Sequence, residues 1–235
     1  MQYIEETNKQ DYLKFLAITC MIIDHIGLYF LPNCWSMRAI GRVAFPIFAF
    51  YAGYNFKNKL NYKILAHGII LCLLSVILTR QFLVPNILIS IFIGQLYLYF
   101  LSKYSALHKN LFWKYMVLIT LCPLTKSYFE YGSITPLIML IGSLYKEKIL
   151  SNLQIANQVS LITIVHSMIV FGNFFSSVDL LILIISMSLL WIVLSIRENQ
   201  YQGFHIKFIS YISRNSLYIY SFQLAAFMLI TALSH

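Results

Sequence analysis

Apolar runs long enough to cross a bilayer follow one another along almost the whole chain, and this limits the fold before any single residue is weighed. A spanning helix needs roughly 17 to 25 apolar residues. Such runs fall at about 12–31, 38–56, 62–79, 84–101, 111–125, 133–146, 154–171, 179–196 and 207–233. The fifth and sixth are short and contain Pro123 and Pro136, which would tilt or break them. With 60% hydrophobic and 11% charged residues, the composition is far from that of a soluble domain. The expected fold is an all-α, polytopic transmembrane helix bundle of about nine spans. Its residues 1–235 form a single membrane domain with no room for a separate soluble one.

The basic residues test that count independently of hydropathy. With the N-terminus cytoplasmic, the inner side receives Lys9, Lys14, Lys57, Lys59, Lys63, Lys103, Lys109, Lys114, Lys146, Lys148, Arg197, Lys207 and Arg214. The outer side receives only Arg38, Arg42, Arg80 and Lys126. This positive-inside bias puts the N-terminus inside and the C-terminus outside. It also accounts for the net charge of +9 without nucleic acid, because no dense basic stripe is present. Acidic Glu5, Glu6 and Asp11 precede the first run and no small-residue cleavage site follows it, so it reads as a retained helix.

Within that first run stand an acid and an imidazole, Asp24 and His25. Ionisable groups in hydrocarbon are expensive and by default mark a functional site facing the protein interior. The first helix runs outward and the second returns after a turn near Pro32 to Ser36. Asp24 and His25 therefore lie level with Arg42, roughly 12 Å below the turn at the rise of an α-helix. Neighbours on a helix point about 100° apart, so Asp24 and His25 need partners on other helices. Arg42 is the natural partner for Asp24, as a bidentate pair that cancels two intramembrane charges. His25 is then left on another face, either titrating near neutral pH or acting as interhelical glue.

Other polar residues drift toward the same level: Asn86, Glu130, His166 and Gln223. Their convergence predicts an outward-opening polar cavity in which Gln223, Asn86 and His166 contact substrate. Glu130 reads as a loop acid, and His67 and His108 as interfacial. Trp35, Trp113 and Trp191 fit interfacial anchoring. Cys20, Cys34, Cys72 and Cys122 lack metal spacing, so no metal site is expected, while a disulfide between Cys34 and Cys122 stays open. Phosphate loops, zinc spacings and nucleophile elbows are absent from the sequence.

Two segments carry a resemblance. Met21-Ile22-Ile23-Asp24-His25-Ile26-Gly27, followed by Arg38-Ala39-Ile40-Gly41-Arg42-Val43-Ala44-Phe45-Pro46-Ile47-Phe48-Ala49-Phe50, is similar to the signature of the TraX family. Weaker similarity continues through Asn86-Ile87-Leu88-Ile89-Ser90-Ile91-Phe92-Ile93-Gly94 and Tyr131-Gly132. The family's last helix typically carries a proline and a histidine where this chain has Tyr220-Ser221-Phe222-Gln223-Leu224. Glutamine donates and accepts hydrogen bonds but carries no proton between substrates.

The family is named for an acetyltransferase that modifies the N-terminal amine of F-type pilin. It resembles more distantly the acyltransferase-three and heparan-glucosaminide acetyltransferase proteins, in which an intramembrane histidine serves acetyl transfer. The resemblance implies acetyl-CoA as cytoplasmic donor and His25 as catalytic base, with Asp24 and Arg42 shaping its field. The acceptor would be an amine or hydroxyl of an envelope protein or glycan, pilin among them. Partners are membrane lipid and these substrates, and the place is the bacterial inner membrane. The rival classes are a proton-coupled transporter relaying through Asp24, His25 and His166, and a non-catalytic assembly factor.

Overall fold

The computed structural model describes residues 8–79, 86–104, 110–125, 128–129, 131–171, 173–195 and 206–234. Arg80, His108, Lys109, Lys126, Glu130 and Arg197, placed by the sequence reading, lie outside these. Among the described residues the ordered elements are all helices: α1 (Lys9–Tyr29), α2 (Trp35–Gly41), α3 (Ala44–Tyr54), α4 (Tyr62–Thr79), α5 (Ile87–Lys103) and α6 (Leu111–Thr125). They continue as α7 (Ile134–Lys146), α8 (Asn152–Phe171), α9 (Ser177–Ser195), α10 (Lys207–Arg214) and α11 (Ser216–Leu233).

Four of these, α1, α8, α9 and α11, are long and apolar enough to cross a membrane. The apolar stretches Tyr62–Leu78, Ile87–Lys103, Leu111–Cys122 and Ile134–Lys146 are shorter. Two of the expected spans are each two helices. The run at 38–56 breaks between α2 and α3 because the Pro46 ring would clash with the Arg42 carbonyl in a continuous helix. The run at 207–233 breaks at Asn215, which has φ −99° and ψ 16° and ends α10. Asparagine side chains compete with helical hydrogen bonds, and Asn215 Nδ2 donates to the Tyr211 carbonyl. Pro123 does not stop α6, which runs on to Thr125, and Pro136 sits in the first turn of α7, where its missing N–H is harmless. All four cysteines are free thiols.

The chain folds as two compact units, each assembled from separated segments. The first comprises Met1–Phe48 and Asn152–Gln223, the second Ala49–Ser151 and Leu224–His235. In the first, α1 packs on α2 and α10, α2 on α9, and α9 on α8. The buried faces follow helical spacing: Leu13, Ala17, Met21 and Asp24 on α1, and Asp179, Leu183, Met187, Leu190 and Leu194 on α9. Helix α1 begins with a capping box in which Asn8 and Asp11 satisfy one another's backbone N–H groups. Asp11 also accepts a hydrogen bond from Ser213 Oγ at 2.7 Å, fixing α10 against that end of α1.

The second unit is centred on α7, whose Leu137 to Ile141 are wholly buried. A helix that is apolar on every side belongs in a core. It meets α3 closely enough that a Cβ on Gly53 would overlap the Met139 backbone. Phe50, Tyr51, Tyr54 and Tyr145 form an aromatic cluster over this contact, and Lys146 Nζ donates to the Phe56 carbonyl at 2.9 Å.

Candidate functional site

The polar centre of the first unit grows from the spacing of α1. Asp24 continues the buried row of Leu13, Ala17 and Met21, so it points toward α2, while His25, one residue on, points elsewhere. Between them α1 and α2 approach so closely that a Cβ on Gly41 would collide with the Asp24 side chain. Only glycine there lets the two helices close around the carboxylate.

Arg42 Nη2 donates to both Asp24 oxygens, at 2.7 and 2.8 Å. The pairing that the hairpin register predicts is therefore formed. It is not the expected two-nitrogen fork, because a second guanidinium shares the carboxylate. Arg38 Nη1 lies 2.9 Å from Asp24 Oδ2 and donates to the Asp24 carbonyl at 3.2 Å. Arg42 Nε in turn donates to the Arg38 carbonyl at 3.2 Å. The sequence reading took Arg38 for a topology marker. Its separation of four residues from Arg42, which puts both on one helical face, was the signal that could have found it.

Two cations thus meet one anion, with Arg42 only 3% and Asp24 only 7% exposed. Charge-assisted hydrogen bonds from two guanidiniums hold such a buried carboxylate in place. Removing the carboxylate from such a cluster would strand two buried cations together.

His25 faces a different neighbourhood. It is 7% exposed, and its ring stands 5.8 Å from that of Tyr220 at an interplanar angle of 57°. Gln223, one helical turn beyond Tyr220 on α11, lies beside the imidazole. Yet His25 Nδ1 and both polar atoms of the Gln223 side chain are buried without a hydrogen bond in proper geometry to any described group. Buried polar atoms are nearly always satisfied; here the imidazole and the amide face one another without a well-formed hydrogen bond.

The remaining expected site residues are placed as follows. His166 is buried on α8 of the same unit, next to the buried hydroxyl of Ser167. Asn86 belongs to the second unit, where it caps α5 by accepting from Leu88 N at 3.1 Å and ties that cap to α4 by donating to the Gly68 carbonyl at 3.0 Å. Among the described residues no group of three or more His, Cys, Asp or Glu side chains is placed to hold a metal ion.

Four helices long and apolar enough to cross a membrane, with a buried acid held between two guanidiniums, are the marks of a helical membrane protein. The TraX protein family matches residues 9–231. The chain is also 38% identical over 227 residues, 93% of its length and 90% of the relative's, to an uncharacterized protein of Rickettsia prowazekii (strain Madrid E). No solved structure matches it. The chain belongs to the TraX family.

Proposed function

We propose that this protein is a transmembrane acetyltransferase. It takes an acetyl group from acetyl-CoA at the cytoplasmic face and passes it to an amine or hydroxyl acceptor in the outer half of the bacterial inner membrane. Pilin, another envelope protein or a glycan would present that group. About nine crossings, with the N-terminus inside and the C-terminus outside, fit the distribution of lysine and arginine. The observation that carries this reading is the buried His25 imidazole with the Gln223 amide beside it and no well-formed hydrogen bond at Nδ1.

In this mechanism His25 accepts the acceptor's proton as the freed lone pair attacks the thioester carbonyl. The tetrahedral intermediate collapses, the carbon–sulfur bond breaks, and the imidazolium returns its proton to the departing thiolate. General-base help of this kind is worth about 10²- to 10⁴-fold. Gln223, beside the imidazole, orients the attacking group through its amide. Asp24, clamped by Arg38 and Arg42 at 2.7 to 2.9 Å, holds the α1–α2 hairpin and the local field. That clamp opposes the relay reading, since both Asp24 oxygens already accept hydrogen bonds from Arg42 Nη2.

Intact masses of envelope proteins and glycans from cells with and without the protein provide the test. The expected result is one acceptor that gains a single acetyl group, lost in His25→Ala while the protein still inserts. No acetyl gain on any acceptor would refute the assignment.

A further inference from the structure

Helix α2 and its C-cap residue carry the two guanidiniums of the site, yet little in the helix's own sequence holds it in place. It has seven residues, its N-cap Cys34 makes no side-chain capping bond, and the chain breaks immediately after Arg42. Isolated helices shorter than about 12 residues are marginal. Its orientation must come from tertiary contacts at both ends. Asp24 supplies one; the other lies at the start of α9.

There, Ser176 and Asp179 form a capping box: Ser176 N and Oγ donate to Asp179 Oδ2 at 2.9 and 2.7 Å, and Asp179 N donates to Ser176 Oγ at 3.2 Å. That arrangement occupies Oδ2 and leaves Oδ1 aimed outward from α9. Ser36 Oγ, in the first turn of α2, donates to it at 2.6 Å. Beside this bond Trp35 stacks on Phe174, centroids 4.9 Å apart and planes 16° apart, and meets Phe175 edge-on at 6.2 Å. Asp179 is 6% exposed, so the carboxylate is buried where capping alone would not require it.

We propose that Asp179 is a positioning residue: through Ser36 it pins the N-terminal turn of α2, and so sets the register in which Arg38 and Arg42 reach Asp24. The inference rests on the acetyltransferase reading only for its effect on rate. Ser36 and Arg42 are about 9 Å apart along the helix axis, so a small swing at the clasp displaces both guanidiniums from the carboxylate.

The native thiol of Cys34, partly exposed at the N-cap of α2, serves as reporter. In a background of Cys20→Ala, Cys72→Ala and Cys122→Ala, the maleimide labelling rate of Cys34 is measured with Ser36 intact, in Ser36→Ala and in Ser36→Thr. Ser36→Ala leaves the α9 capping box intact. It should speed labelling several-fold, and Ser36→Thr, which keeps the hydroxyl, should restore the original rate. In a thermal double-mutant cycle, Arg42→Ala should lower Tm less in the Ser36→Ala background than with Ser36 present, because the two act through one register. Where transfer is assayed, kcat should fall about tenfold with KM unchanged, as a misplaced site demands.

Unchanged Cys34 labelling, or Tm losses that simply add, would overturn the proposal. So would a wild-type kcat in Ser36→Ala. If the unmodified protein transfers no acetyl group at all, the acetyltransferase reading falls, while labelling and the thermal cycle still decide the clasp.

Discussion

In the α1–α2 hairpin two helices close around charge, whereas α3 and α7 close around backbone. Both contacts depend on a missing side chain. A Cβ on Gly41 would strike the Asp24 side chain, and one on Gly53 would strike the Met139 main chain. Small residues at helix contacts are how membrane helices gain van der Waals packing when lipid removes the hydrophobic drive between them. What the closeness secures differs. In the first unit it puts a carboxylate within 2.9 Å of two guanidiniums. In the second it seals wholly buried Leu137, Ile138, Met139, Leu140 and Ile141. Packing density therefore does not mark the site; what marks it is the polarity enclosed.

Substitutions can break this contrast. The largest loss is expected for Asp24→Ala, which leaves the Arg38 and Arg42 guanidiniums together without their counter-ion: about 3–5 kcal/mol of stability, read as a fall in Tm, with acetyl transfer abolished. Arg38→Ala should cost less, because its side chain is 12% exposed and Arg42 still holds the carboxylate. Gly41→Ala and Gly53→Ala should each lower stability by about 1–3 kcal/mol through overpacking. Only Gly41→Ala should also depress transfer beyond what its Tm explains; equal depression in both would erase the distinction between the units. The smallest effect is expected for Asn86→Ala, which removes the α5 cap and its tie to α4, at about 1 kcal/mol, measured by thermal unfolding.

Much of the helical framework was legible because hydropathy marks each apolar run. The two split spans were not, since a hydropathy window sees apolar residues on either side of Arg42 and of Asn215 and averages over the break. Pro46 carried the information for the first, through its clash with a carbonyl four residues back. The Asp24–Arg42 pair followed from the hairpin register alone. Arg38 was missed because charge counting had already assigned it to the outer surface, although its four-residue spacing placed it on the same face. Asp179 and Ser36 stayed hidden for a different reason: residues 143 positions apart in sequence share no periodicity. His25 and Gln223 were singled out as a histidine and a glutamine in apolar helices. That their polar atoms lack well-formed hydrogen bonds is a property of three dimensions.

The account turns on the His25 imidazole being chemical and not structural. The direct measurement is single-turnover acetyl transfer by purified protein, comparing the native chain with His25→Gln, alongside thermal unfolding of both. Because Nδ1 makes no well-formed hydrogen bond, the variant should unfold at nearly the native temperature yet transfer at least about 10²-fold more slowly. A native rate in His25→Gln, or a rate that falls only in step with lost folding, would contradict the account.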